Sequence, residues 1–270
     1  MTEIQESKDG LPFISLTSLE GKAEICLHGA QVTRWQPGDG DNVIFVSTQS
    51  EWQADKPIRG GVPICFPWFG PHARDKDAPL HGWARLCEWQ LQSAAEDEAV
   101  LSLERDGWQL LYRVRVGRDL ELALEIRNGA SHTKRCEAAL HTYFAVGDIE
   151  RVMVHGLAAA EYLDKTEDFA RKTEETPALK IVGETDRIYF SHATVEIEDQ
   201  ANVRRIIVEK SGAGATVVWN PGREKAAAMP DFGDDEWRTM LCVETAAVSE
   251  CALELAPNET HIVSARLRVS

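Results

Sequence analysis

The segment Val114-Arg115-Val116-Gly117-Arg118-Asp119-Leu120-Glu121-Leu122-Ala123-Leu124-Glu125-Ile126 alternates apolar and polar side chains. Val114, Val116, Leu120, Leu122, Leu124 and Ile126 fall in one phase, and Arg115, Glu121 and Glu125 in the other. Gly117-Arg118-Asp119 interrupts the run. Successive side chains of a strand point to opposite faces, so this reads as a hairpin with one dry and one wet face. Similar short runs recur near 23–28, 99–105, 193–198, 203–209 and 261–269, the last with Val263, Ala265, Leu267 and Val269 in phase. Helical periodicity is scarce. Residues 223–229 predict one or two turns after Asn220-Pro221-Gly222, and 165–175 reads as a polar loop. Many strands and almost no long helix predict an all-β fold, a large antiparallel β-sandwich. No internal repeat or Pro/Ser-rich linker divides the chain, so residues 1–270 are read as a single domain.

The chain has 270 residues, of which 43% are hydrophobic and 27% charged, a composition that suits a folded globular protein. It carries 29 basic against 44 acidic residues, a formal charge of −15. That balance argues against nucleic acid and against anionic membrane surfaces as partners. No apolar run approaches the ~20 residues that span a bilayer. Met1-Thr2-Glu3-Ile4-Gln5-Glu6-Ser7 is polar and acidic, without the basic and apolar parts of a signal peptide, so a cytoplasmic location is expected. The six cysteines form no C-x-x-C pair. In a reducing compartment they read as buried thiols and not as a disulfide framework or a zinc site.

Four segments depart from plain alternation. RGGVPICFPWFGP at 59–71 holds three prolines and three glycines, which makes an interior strand unexpected. It reads either as a rigid aromatic plug or as a place where backbone comes close to a ligand beside Arg59. HGWAR at 81–85 sets His81 and Arg85 around Trp83, which is either structural or a platform for a sugar face. In ALHTYFAVGDI at 139–149, His141 is either a hydrogen-bonded core histidine or a proton donor tuned near neutrality. Glu244 closes the apolar run MLCV at 240–243 and is either salt-bridged or a general base.

Taken together and in order, these segments resemble the aldose 1-epimerase (mutarotase) superfamily, and within it the glucose-6-phosphate 1-epimerase branch. The matching stretches are RGGVPICFPWFG (59–70), HGWAR (81–85), HTYFAVGDI (141–149), GLAAAEYLDK (156–165), ETDRIY (184–189), WNPG (219–222) and DFGDDEWRTMLCVE (231–244). They run through nearly the whole chain. The resemblance implies a galactose mutarotase-like β-sandwich with a shallow, aromatic-walled cleft. It implies interconversion of the α and β anomers of hexose 6-phosphates, with glucose 6-phosphate foremost.

Such a reaction opens and recloses a cyclic hemiacetal. It moves no electrons between molecules and transfers no group, so neither a cofactor nor a metal is expected. It needs a base at the C1 hydroxyl and an acid at the ring oxygen. The resemblance gives these roles to Glu244 and His141. It makes His81 a second ring-facing histidine and Asp186 an acceptor for sugar hydroxyls, although an aspartate also suits a turn. A phosphate on an acidic protein needs local positive charge, and guanidinium forks supply it. The resemblance points to Arg59 and Arg85, with Arg74 and Lys76 in the loop 71–79 as weaker candidates. The expected partner is a small sugar phosphate, bound by a monomer. A mutarotase of neutral aldoses, a non-catalytic carbohydrate-binding sandwich and a metal-dependent β-fold enzyme using His81, His141 and Glu244 remain open alternatives at this point.

Overall fold

The segment 114–126 lies in a long hairpin. Trp108–Val116 and Leu120–Asn128 pair antiparallel, with Val116 opposite Leu120, and Gly117 N–H closes the turn onto the Asp119 carbonyl at 2.9 Å. Val114, Val116, Leu120, Leu122, Leu124 and Ile126 are buried, while Arg115 and Glu121 are exposed. The computed structural model describes the backbone of residues 4–6 and all of residues 10–270. The polar lead at 1–7 falls largely outside the described residues.

Among the described residues this hairpin is part of a nine-stranded sheet. Its order runs Ala178–Lys180, Val152–His155, Val195–Asp199, Arg204–Ser211, Thr260–Val269, Leu120–Asn128, Trp108–Val116, Glu98–Arg105, Gln90–Ala94. Every pairing in it is antiparallel. The alternating runs near 23–28, 99–105, 193–198, 203–209 and 261–269 all fall on strands.

An eight-stranded sheet packs against this one. From one edge it runs Ala170–Thr173, Glu161–Asp164, Thr185–Tyr189, Ala215–Asn220, Met240–Ala247, Ala138–Leu140, Ile64–Cys65, and Tyr143–Ala145 also pairs with Met240–Ala247. Met240–Ala247 and Ala138–Leu140 lie against Thr260–Val269 of the larger sheet. Leu241, Val243 and Ala247 enter the main core with Val263, Ala265 and Leu267. The alternate residues Glu244 and Ala246 point the other way, where Ala246 joins a smaller apolar cluster with Cys65, Ile188 and Val217. The molecule is therefore mostly antiparallel β-structure, a β-sandwich with a short helix at Gly222–Ala227.

One segment differs from its sequence reading. Residues 165–175 are not simply a loop: Lys165–Glu167 forms a 3₁₀ turn and Ala170–Thr173 an edge strand. An edge strand is free to carry charge on both phases, so Arg171 and Lys172 conceal the alternation. Ile64–Cys65, between its prolines, enters the sheet at the opposite edge and not in the interior, in keeping with the sequence reading, because a missing donor costs nothing at an edge. All six cysteines are free. Cys26, Cys65, Cys136 and Cys242 are buried, and burial pushes the Cys26 and Cys136 thiols up to about 12.

Candidate active site

Strand register places the central pair. Leu140 lies opposite Thr245, and Tyr143 lies opposite Cys242. Both pairs belong to one continuous antiparallel register, so His141 falls opposite Glu244 even though the ladder is broken between Ala138–Leu140 and Tyr143–Ala145. Residues directly opposite share a face of the sheet. His141 Nε2 accordingly stands 3.4 Å from Glu244 Oε1. The break is held open by other partners: His141 N–H donates to the Pro63 carbonyl and Tyr143 N–H to the Gly61 carbonyl.

The same reasoning extends along the row. Asp186 lies opposite Trp219, and Trp219 opposite Cys242. Leu163 lies opposite Ile188, so Lys165, two residues on, comes level with Asp186. Its Nζ meets Asp186 Oδ2 at 2.8 Å. Lys165, Asp186, Trp219, Tyr143, His141 and Glu244 thus project from one face of one sheet.

The walls are aromatic. The Tyr143 ring stacks on His141 at 4.8 Å and 11°, and Trp219 meets His141 edge-on at 6.1 Å. Phe69 lies 4.7 Å from the His81 ring, and His81 lies 5.6 Å from His141. Gly70 N–H donates to His81 Nδ1 at 3.2 Å. In the neutral ring the proton then sits on Nε2, which leaves His81 a donor.

The electrostatics of the pair follow from burial. Both Glu244 oxygens and His141 Nδ1 are buried and lack a hydrogen-bond partner among the described residues. Burial raises the Glu244 carboxyl well above its ordinary range; Lys165 opposes this and Asp186 reinforces it. Burial lowers His141 well below 6.5, helped by Arg85 and Arg59, and lowers His81 likewise, helped by Arg85 and His141. The surroundings thus bring a neutral acid beside a neutral imidazole closer in energy to the ion pair, the two groups sharing one mobile proton.

The arginines border this pair. Arg59 donates from Nε and Nη2 to Asp231 Oδ2, at 3.0 Å each, and from Nη1 to the Tyr143 hydroxyl at 3.3 Å. Arg85 is 7% exposed. Its Nη2 donates to the Leu80 carbonyl at 2.7 Å, while Nε is buried without a partner. Among the described residues no carboxylate pairs with it, and burial draws its guanidinium below the usual value. Arg74 and Lys76 are exposed on the neighbouring loop. Trp83 is no sugar platform: it is buried at 5% exposure and packs edge-on against Phe66 at 5.5 Å. The glycines beside Arg59 serve the chain's own packing. A Cβ on Gly60 would stand 2.4 Å from Val46 Cα, and one on Gly61 2.5 Å from the Val32 carbonyl oxygen.

Sequence reasoning gave no role to Tyr143, Lys165, Asp231 or Phe69. Tyr143 was accessible through the two-residue period from His141, which puts both on one face. Asp231 and Lys165 lie within quoted motifs but come into contact only through pairing distant in the chain. Among the described residues no group of three or more His, Cys, Asp or Glu side chains is arranged to hold a metal ion.

The family profile described as Aldose 1-epimerase matches residues 12–268, nearly the full length. The chain belongs to the aldose 1-epimerase family. Like other aldose 1-epimerases, it is an isomerase of sugars, an epimerase or mutarotase. Two similar proteins carry the name "Putative glucose-6-phosphate 1-epimerase". One, from Cenchrus ciliaris, is 36% identical over 260 residues, covering 88% of this chain and 78% of that protein. The other, from Escherichia coli K12, is 34% identical over 269 residues, covering 94% and 89%. This aldose 1-epimerase also superimposes on the crystal structure of YeaD from Salmonella typhimurium, described as a "putative mutarotase". The TM-score is 0.90 at 28% identity, with 100% of this chain and 97% of that one covered. Among the described residues no helix is long and apolar enough to cross a membrane.

Proposed function

We propose that this aldose 1-epimerase interconverts the α and β anomers of hexose 6-phosphates, with glucose 6-phosphate as the leading substrate. The observation that carries the phosphate is Arg85. A buried guanidinium with an orphaned Nε and, among the described residues, no carboxylate partner is costly unless an anion answers it. Arg59 acts on the same guanidinium electrostatically and is joined to the wall of the site through Tyr143.

Glu244 takes the proton of the C1 hydroxyl and His141 gives one to the ring oxygen as the C1–O5 bond breaks. The open aldehyde turns about C1–C2. On closure His141 recovers its proton from O5 and Glu244 returns one to O1, now on the other carbonyl face. The ionised pair before opening and the neutral pair after it hold the same number of protons, so none is drawn from solvent. The opposed effects of burial on the two groups bring these arrangements closer in energy than they would be in water. His81 donates from Nε2 to an oxygen of the sugar, and Asp186 Oδ1, buried and unpartnered, accepts from a hydroxyl.

The test is anomer exchange at equilibrium by NMR saturation transfer, on glucose 6-phosphate and on glucose. Wild type should accelerate the phosphate more. His141→Ala should lose roughly 10²–10⁴-fold on both sugars, and Arg85→Ala should lose selectively on the phosphate. Equal loss on both sugars in Arg85→Ala would remove the phosphate assignment. The Arg59–Asp231 pair favours a second reading, a mutarotase of neutral aldoses such as galactose or glucose, because it satisfies one guanidinium internally. A preference for unphosphorylated sugar would establish that reading.

A further inference from the structure

Lys165 belongs to a motif, GLAAAEYLDK, that neither the acid–base pair nor the phosphate contacts account for. It stands at the end of Glu161–Asp164, where the strand turns into the 3₁₀ segment Lys165–Glu167. That turn is built firmly. Asp164, 3% exposed, accepts from Thr166 N–H at 3.2 Å and from the Thr166 hydroxyl at 2.6 Å. Its other oxygen pairs with Lys172 at 3.1 Å and lies 3.7 Å from Arg187. Arg187 and the Tyr189 hydroxyl both donate to buried Glu174. This network fixes the backbone from which Lys165 leaves the sheet.

The Lys165 side chain then crosses to the site. Its Nζ bonds Asp186 Oδ2 at 2.8 Å and sits 5.4 Å from the Phe69 ring centroid, the ring that backs His81. Holding Oδ2 leaves Asp186 Oδ1 as the buried, unpartnered oxygen. We propose that Lys165 is a positioning residue of this same site, resting on the reading of Glu244 as its base: its ammonium holds Asp186 Oδ2 so that Oδ1 faces the sugar, and sets a positive charge on the sheet face that carries Glu244.

The charges around Glu244 single Lys165 out. From its own strand comes the Cys242 thiol, from Ile64–Cys65 the Cys65 thiol, from the facing break His141, and from Thr185–Tyr189 Asp186. Arg59 and Arg85 bear on His141 and disfavour its protonation. Against burial and Asp186, the favourable charge on Glu244 is that of Lys165. Neutralising it should therefore leave the base protonated to higher pH.

The experiment uses the full chain with Lys165→Met and Lys165→Arg, each checked for cooperative thermal unfolding. Glu244 is titrated directly in the ligand-free protein by ¹³C-carboxyl NMR, with Glu244→Gln assigning the resonance. Lys165→Met should move the Glu244 midpoint up, and Lys165→Arg should restore most of it. In exchange kinetics the acid limb of kcat/KM should shift upward by the same interval. The loss should be equal on glucose and glucose 6-phosphate, because Lys165 acts at C1 and not on the phosphate. An unmoved Glu244 midpoint overturns the proposal, as does a loss confined to the phosphate, which would make Lys165 an anion ligand. If wild type accelerates no aldose, the functional reading fails, and the ligand-free titration still decides the role of Lys165.

Discussion

Glu244 occupies a position that folding alone would not choose. Its carboxyl is 1% exposed and neither oxygen has a donor among the described residues. A group whose folded-state pKa is raised contributes fully below its unfolded value and loses stability as pH rises beyond it. For Glu244 that loss begins near the ordinary carboxyl value, about 4.3. His81 and His141 have the opposite sign. Their folded-state values are depressed, so their contribution is intact above about 6.5 and is lost as pH falls. Glu244→Gln should therefore melt a few degrees above wild type at pH 7 to 8, with the gap closing toward pH 4, while catalysis falls. Thermal unfolding across pH measures this. A variant no more stable than wild type at pH 7 would mean that the carboxylate is stabilised in a way the geometry does not account for.

At the scale of elements, what was legible depended on whether the signal was local. The hairpin at 108–128 announces itself because its inner face is apolar from Val114 to Ile126 and its turn is written Gly117-Arg118-Asp119. The Ala170–Thr173 strand hides because an edge imposes no such alternation. Periodicity also located the strands of His141 and Glu244, but not their pairing. That pairing depends on a register between segments distant in the chain, and the resemblance to a family carried those roles. Trp83 misleads for a related reason: nothing local separates a buried indole from an exposed platform. The HGWAR segment is decided by its glycine. Gly82 has φ +77° and bridges Phe66, and a Cβ there would stand 2.0 Å from the Phe66 carbonyl oxygen. Gly82→Ala must therefore move backbone, at a cost of order 1–3 kcal/mol. It should also displace His81, itself at φ +63°. A lower urea midpoint together with weaker sugar affinity is expected. A full loss of stability with unchanged exchange in the folded fraction would separate His81 from the reaction.

Across the whole molecule, the net charge of −15 and the arginines of the site act at different ranges. A sugar phosphate carries about −1.5 to −2 charges at neutral pH. Far from the site it meets the summed negative field, and only near the cleft do Arg59 and Arg85 dominate. Salt distinguishes these ranges. The screening length is about 30 Å at 0.01 M and about 10 Å at 0.1 M. The first spans much of the molecule, and the second removes the distant repulsion while leaving close contacts. Arg85 is buried, so its pull on a bound phosphate is screened least. Raising sodium chloride from about 0.01 to 0.1 M should therefore increase kcat/KM for glucose 6-phosphate and leave that for glucose flat. Exchange rates on the two sugars across that range measure the effect. A steady fall with salt on the phosphate would show that the arginine cleft, and not the net charge, governs approach from a distance.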